Sequence, residues 1–486
     1  MKKIKLPKKI PRFDKSFFYK HRYVIGYITL AIIFGLILLF ASLNLPGGLT
    51  ANEIRSVVVS DSLSFSDLSS FAITNLPYHI MQNISLHIFG VSTFSIKLPS
   101  ILMALGTVIG LIILLRNWFK QSMAILATII IMTTGQFLLI AQTGAPDIMY
   151  LFWSVWILAL SVSIVKEKDP AKRLIRKSIL MAIVALSLYA PLGIYILIAL
   201  GLAILTHPHL RHLVKKLDKK NTIISLSIGG IILLPLIVSI FYRPSLILSL
   251  LGAPNELPNI PENLAFLFHH YFNFVNSSDI SAAFITFNIT AIVLIVIGII
   301  QLIKTRETAR SYVIATWGIL VLIPIIIYPS NTNVLFIPLA LLLTTGLSSV
   351  LTYWYKLFPF NPYARVAGLI PIIILISSVV LTGLENYIYG YSYNPSITNY
   401  FSHDIRLLPN SPKTILVTDK EKPFFNVLAN HNSDITIVTE TPESDFIATK
   451  AARPETPADF EISNIITGTN YREADRFYIF TKSTKE

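Results

Sequence analysis

Long charge-free apolar blocks alternate with short basic or turn-forming stretches up to about residue 390, and the pattern then changes. Ile28–Leu43 carries no charge, and with its flanks it exceeds the roughly 20 residues that cross a bilayer as a helix. Comparable blocks predict spans over 23–44, 96–115, 121–140, 147–165, 222–242, 281–303, 312–328, 334–352 and 366–389. Basic stretches border residues 178–206 on both sides, so this segment has to leave and return, giving two crossings of roughly 20 Å against a hydrocarbon core of roughly 30 Å. Two short helices meeting at the "YAPLG" break, below a cavity, are expected there. After residue 390 the chain is polar, with β-like runs "TILVTD", "DITIVTE", "DFIATK" and "RFYIFTK" and a helix-like "KPFFNVLANH" between the first two.

Charge orients these blocks. The tail before Tyr23 holds nine lysines and arginines, which puts it in the cytoplasm. The apolar run that follows is too long for a signal-peptide core and lacks a small-residue exit, so it reads as an uncleaved first span. The loop 45–95 then lies outside and holds a single arginine, Arg55. Every inner segment between spans carries at least two basic residues, and "KEKDPAKRLIRK" carries six. The fold class expected is a polytopic α-helical membrane protein with about eleven spans, N-terminus in and C-terminus out. Its parts are a cytoplasmic tail (1–22), a membrane domain (23–390) with external loops 45–95 and 243–280, and a small external α/β domain (391–486).

Composition narrows the function classes. Of 486 residues, 53% are hydrophobic and 14% charged, against about a quarter charged in an ordinary soluble chain. Cysteine is absent, which excludes disulfides, thiolate ligands and a cysteine nucleophile. The net charge of +14 follows from the positive inner loops and gives no reason to expect nucleic acid. Inverted halves of the transporter kind are not visible.

Ionisable residues beside a bilayer are costly, so the few on the external side are the candidates for chemistry. Glu53 opens "ANEIRSVVVS", with Thr50 three residues before it in the pattern of a capping box. The alternative for Glu53 is a carboxylate that takes a proton from an acceptor hydroxyl or amine. Asp147 stands at the external end of the fourth span, where the helix dipole favours it. As a partner of Glu53 it would share a divalent metal or divide the roles of base and orienting group. Lys97 and Arg243 sit at external span ends, as snorkelling cations or as contacts for a donor phosphate. Arg55, His79 and the pair His269-His270 complete the candidate substrate contacts, although adjacent histidines on one element point apart and form a poor metal site. His403, Asp404, Asp419, His431 and Asp434 in the C-terminal segment lack metal-ligand spacing and read as solvated surface.

The order of motifs resembles the glycosyltransferase C superfamily, in its branch of dolichyl-phosphate-mannose protein mannosyltransferases and lipid A aminoarabinose transferases. An acidic residue follows the first span. Then "LPYHIMQNISLHIFGVSTFSIKLPSIL" is similar to that branch's Pro-Tyr segment (Pro77, Tyr78) and its later stretch Phe89, Gly90, Lys97, Leu98, Pro99, Ser100. "AQTGAPDIMYLFW" matches the second acidic loop, and "SLYAPLGIYILI" and "FPFNPYAR" look like bacterial members.

The resemblance implies a polyprenyl-phosphate-linked sugar donor and inverting transfer at the outer face of the plasma membrane, with a first-loop carboxylate as base. The acceptor would be a protein, a lipid or a polysaccharide. It adds Tyr78 to the substrate contacts, makes Glu53 the expected base and Asp147 its partner, and leaves metal dependence open. Many relatives carry Asp-Glu where this chain has Asn52-Glu53, and an amide takes no proton at neutral pH. Either Glu53 takes the base role, or Asn52 only positions the acceptor, or activity is lost. Two rival readings remain: a catalytically degenerate relative used for binding or assembly, and a transporter of lipid-linked glycans.

Overall fold

In the computed structural model, residues 17–44, 48–64, 66–215, 219–254, 258–272, 287–329, 331–357, 362–393, 401–403, 405–432, 434–454, 459–467 and 476–483 are described. The basic tail before residue 17 and the stretch 273–286 lie outside them.

The apolar blocks become helices at every predicted position. They are α1 (Phe17–Asn44), α4 (Thr93–Trp118), α5 (Gln121–Met132), α6 (Gly135–Gln142), α7 (Ile148–Lys166), α8 (Pro170–Ser187), α9 (Ile194–Thr206), α11 (Lys219–Tyr242), α14 (Ile289–Lys304), α15 (Ala309–Ile327), α16 (Phe336–Leu357) and α17 (Pro362–Tyr393). Six of these are long and apolar enough to cross a membrane, and eight crossings result if each of two bent pairs counts as one. The bent pairs are α5–α6, turned by 68°, and α9 with the following α10 (Pro208–Lys215), turned by 95°. Large apolar side chains point outward along the bundle: Phe241 is 81% exposed, and Ile231, Ile374 and Leu381 are all exposed. Such faces are costly in water and match hydrocarbon, so this is a multi-pass membrane protein.

Small residues set the closest helix approaches. A Cβ on Gly298 of α14 would lie 2.0 Å from the Leu342 carbonyl oxygen, and one on Gly346 of α16 would lie 1.9 Å from that of Leu294. This reciprocal pair lets two backbones touch in a setting with little hydrophobic drive between helices.

The "YAPLG" break is built as a joint. Leu192 takes a left-handed backbone (φ 59°), and its N–H donates to the Leu250 carbonyl at 2.8 Å. The Tyr189 hydroxyl donates to the Ile232 carbonyl and accepts from the Leu236 N–H, inserting into α11 beside Pro235. The expected cavity is present: Ser187, Ala190 and Gly193 line a small void with Tyr150, Trp153 and Trp317.

The two loops expected on the external side contain helices within their described residues. Residues 45–95 hold the short strand β1 (Leu49–Thr50) and helices α2 (Ala51–Asp61) and α3 (Leu76–Phe89). The later loop holds α12 (Ser245–Leu251) and α13 (Ile260–Phe272), the latter covering "FLFHHYF".

The C-terminal segment forms a five-stranded mixed sheet from β3 (Thr414–Leu416), β4 (Thr436–Val438), β5 (Phe446–Thr449), β6 (Phe460–Ile466) and β7 (Phe477–Lys482), in the order β4-β3-β5-β7-β6. β3 pairs in parallel with β4 and β5, and β7 is antiparallel to β5 and β6. β6 was not expected: its exposed polar positions hide a strand that is completed by pairing with β7. Helix α18 (Lys422–His431) connects β3 to β4.

This sheet shares its core with the first loop. Phe424, Phe425, Val427 and Leu428 of α18 bury against Leu49, Val57, Leu86 and Ile96. Strand β2 (Phe401–His403) pairs with β1, Leu49 opposite His403. His431, expected on solvated surface, instead sets its Nε2 2.9 Å from Asp61 Oδ1 at the end of α2.

Candidate active site

The capping box read from Thr50 and Glu53 forms. The Thr50 N–H donates to Glu53 Oε2 at 2.7 Å, and the Glu53 N–H donates to Thr50 Oγ1 at 3.2 Å. The other carboxylate oxygen accepts the Gly144 N–H at 2.7 Å and faces Lys97 Nζ at 3.7 Å. Glu53 is 0% exposed and Lys97 1%. Each buried charge neutralises the other, and the remaining acceptor sites hold backbone donors. Lys97 is therefore an internal counter-ion and not an interfacial phosphate contact. Glu53 ties α2, α4 and the loop before α7 together, and no solvent-accessible face is left for an incoming acceptor.

That loop, Thr143-Gly144-Ala145-Pro146-Asp147, is gripped from every side. Gln82 Nε2 donates to the Gly144 carbonyl at 3.0 Å. Ser100 Oγ lies within hydrogen-bond reach of the Thr143 and Ala145 carbonyls, and the Tyr78 hydroxyl bonds Ser100 Oγ at 2.7 Å. A Cβ on Gly144 would sit 2.7 Å from Ile96 Cγ2, so the close approach needs glycine. Tyr78 is fully buried and His79 nearly so, the latter sharing a 2.8 Å hydrogen bond with Ser60 Oγ. Both serve this internal scaffold and not a substrate-facing wall. Burial pushes the His79 imidazole down to about 4.

Asp147 emerges from the grip at the N-terminus of α7, partly exposed. Enclosure by protein raises its carboxyl above the ordinary carboxylate range, and a hydrogen bond with the Asn333 side chain pulls the other way. Gln136 Nε2 donates to Asn333 Oδ1 at 2.6 Å, which turns the Asn333 amide N–H₂ toward Asp147. Tyr150 donates to Asn331 Oδ1 at 2.9 Å, and Tyr271 to the Thr332 carbonyl. The segment Asn331-Thr332-Asn333 is thus fastened over the first turn of α7. Sequence reasoning missed Asn331, Asn333 and Gln136. The available signal was two asparagines in a short turn joining two apolar spans, where turn chemistry alone explains one.

The remaining candidates separate. Asn52 and Arg55 are exposed on α2. Arg243 is exposed at the end of α11. His270 is 2% exposed with neither ring nitrogen hydrogen-bonded, between Phe266 and Tyr271, and burial pushes its imidazole down to about 4. The His269 side chain lies outside the described residues. Among the described residues no group of three or more His, Cys, Asp or Glu could hold a metal ion. With the Glu53 oxygens filled by Thr50, Gly144 and Lys97, the Glu53–Asp147 pair does not fit a shared cation.

Residues 77–241 match the profile of the family described as dolichyl-phosphate-mannose-protein mannosyltransferase. The whole chain is similar in structure to ArnT from Cupriavidus metallidurans in the apo state, with a TM-score of 0.54 and 12% identity, over 94% of this chain and 98% of that one. The same protein bound to undecaprenyl phosphate gives 0.55 and 12%, over 96% and 99%. The chain shares the fold of this protein. The archaeal oligosaccharyltransferase AglB from Archaeoglobus fulgidus, in complex with an inhibitory peptide and a dolichol-phosphate, is also similar, with a TM-score of 0.50 and 12% identity over 90% of this chain and 70% of that one. No curated protein matches the chain by sequence. The profile match begins at the Pro-Tyr segment and ends within α11, so it takes in Lys97, the gripped loop and Asp147.

Proposed function

We propose that the chain is a membrane glycosyltransferase that takes a sugar from a polyprenyl-phosphate-linked donor and passes it to an acceptor at the outer face. The fold likeness runs over nearly the full length of both chains, and one of the similar structures holds undecaprenyl phosphate. Asp147 is the observation that carries the chemistry: a carboxylate that is rigidly held, partly exposed and shifted toward neutral pH.

Asp147 acts as the base, in place of the buried Glu53. It takes the proton from an acceptor hydroxyl or amine. The nucleophile's electron pair attacks the anomeric carbon from the side away from the phosphate, and the C–O bond breaks with its pair leaving on the lipid phosphate. One displacement inverts the anomeric carbon. The exposed guanidinium of Arg243 suits the leaving phosphate, since its fork pairs two oxygens. Asn52, exposed on the first turn of α2, offers an amide that orients the acceptor without accepting its proton. The inner-loop charges support a topology of eleven crossings with the N-terminus inside, in which Asp147 and the C-terminal domain lie outside the cell.

The test is release of polyprenyl phosphate from a lipid-linked sugar by the chain in nanodiscs with membrane extract as acceptor source. Wild type releases it, and Asp147→Asn slows release at least about a hundredfold with an unchanged melting temperature. Equal rates for the two proteins would sink the base assignment. If wild type is silent and Asn52→Asp is active, the catalytically degenerate reading replaces this one.

A further inference from the structure

The external domain contains a cleft that the transferase reading does not use. β3 hands the chain through α18 to β4 on one side, while β5 pairs with β3 on the other. In open α/β sheets, loops diverging to opposite sides of a strand leave a crevice beyond the carboxyl ends, where ligands bind. Here that crevice is real: a cavity of about 550 Å³ opens beyond the ends of β3 and β4 and is closed laterally by Ala452 and Pro454 after β5. Its volume lies in the about 300–1,000 Å³ range of small-molecule sites.

The lining defines the ligand. Its polar residues are Thr418, Asp419, Thr439, Glu440 and Thr441, and among the described residues no lysine, arginine or histidine lines it. Two carboxylates accept hydrogen bonds and repel anions, the Thr439 and Thr441 hydroxyls donate or accept, and the Thr418 hydroxyl, whose proton goes to Glu421, accepts. The floor is preorganised: Glu421 Oε2 accepts from the Thr418 N–H, the Thr418 hydroxyl and the Thr449 hydroxyl at 2.9–3.1 Å. Glu421 also answers the positive end of α18, which removes the usual attraction for phosphate.

We propose that this cleft is a saccharide-binding site for neutral or amino sugars, whose vicinal hydroxyls or ammonium groups donate to Asp419 and Glu440. The site sits at the N-terminal end of α18, and the contact with Asp61 is at its C-terminal end, roughly 15 Å away along ten residues. A saccharide can therefore be held at one end while the other stays anchored to the membrane domain. Binding here is independent of transfer and holds whether or not Asp147 is a base.

The experiment uses the labelled full chain in nanodiscs on an array of glucose, galactose, mannose, glucosamine, N-acetylglucosamine, glucuronate and mannose 6-phosphate. At least one neutral or amino sugar binds, the two acidic sugars bind at least tenfold more weakly, and Asp147→Asn binds as wild type does. The double variant Asp419→Asn/Glu440→Gln loses at least tenfold in affinity at an unchanged melting temperature. Thr439→Trp, which fills the cleft, abolishes binding. No sugar bound, preference for the acidic sugars, or full binding by Thr439→Trp each overturns the proposal.

Discussion

The main-chain N–H of Gly144 donates to a carboxylate oxygen of Glu53 across 2.7 Å, joining α2 to the loop that presents Asp147. The same oxygen faces Lys97, so a buried ion pair helps to fix the loop that carries a partly exposed acid. Glu53 is tied up internally, and the base in the proposed mechanism is Asp147, on the loop that Glu53 holds.

Removing one member of this pair leaves the other charge buried and alone. Glu53→Gln and Lys97→Met should each destabilise the protein by about 3–5 kcal/mol. The double variant should be markedly less destabilised than the sum. Denaturant-titrated unfolding in mixed micelles measures all three, and strict additivity would rule out the pair.

Asn333 should set where Asp147 titrates. The base works deprotonated, so transfer falls as pH drops through a pKa already raised above the usual carboxylate range. Asn333→Ala removes the bond that opposes this rise, so the acid limb of the pH–rate profile moves to higher pH. An unmoved acid limb would separate Asn333 from Asp147.

Buried histidines make stability sensitive to acid. His79 has a folded pKa of about 4, below the roughly 6.5 of an unfolded imidazole. The unfolded state therefore binds more protons between these values. His79's contribution is complete above about pH 6.5 and is lost as pH falls toward 4, by up to about 3 kcal/mol. The melting temperature should drop between pH 7 and pH 5, and His79→Gln should remove part of the drop. His270, also held at about 4, accounts for a further part.

The C-terminal domain should act as a cover for the first loop. Deleting residues 401–486 uncovers Leu49, Val57, Leu86 and Ile96, and limited proteolysis should then cut within 45–75. At the rim, Asp61→Ala and His431→Ala should show a coupling of about 1 kcal/mol in a double-mutant cycle.

The Gly298–Gly346 contact leaves no room for a methyl group. Either glycine changed to alanine should cost about 1–3 kcal/mol through forced separation of α14 and α16. Wild-type melting behaviour would mean that the two backbones do not touch.

Reading the residues alone recovered much of this. Apolar block length located the helices, and the spacing of Thr50 and Glu53 gave the cap. The four expected β runs and the helix between two of them formed in the C-terminal segment. Lys97 misled because a lysine at the start of an apolar block looks interfacial, while its partner lies 44 positions away and outside any local pattern. His431 misled in the same way, since Asp61 is contributed by another domain.

The sequence by itself determined that the chain is a membrane protein, where its helices run and that Glu53 caps one of them, because hydropathy, helix period and capping act within a few residues. Only the tertiary structure decided that Glu53 is sealed, that Lys97 is its counter-ion and that Asp147 is presented by a gripped loop beside Asn333. Those outcomes depend on which distant groups share a low-dielectric space. Burial and pairing of charge are properties of that space, and no local pattern of residues contains them.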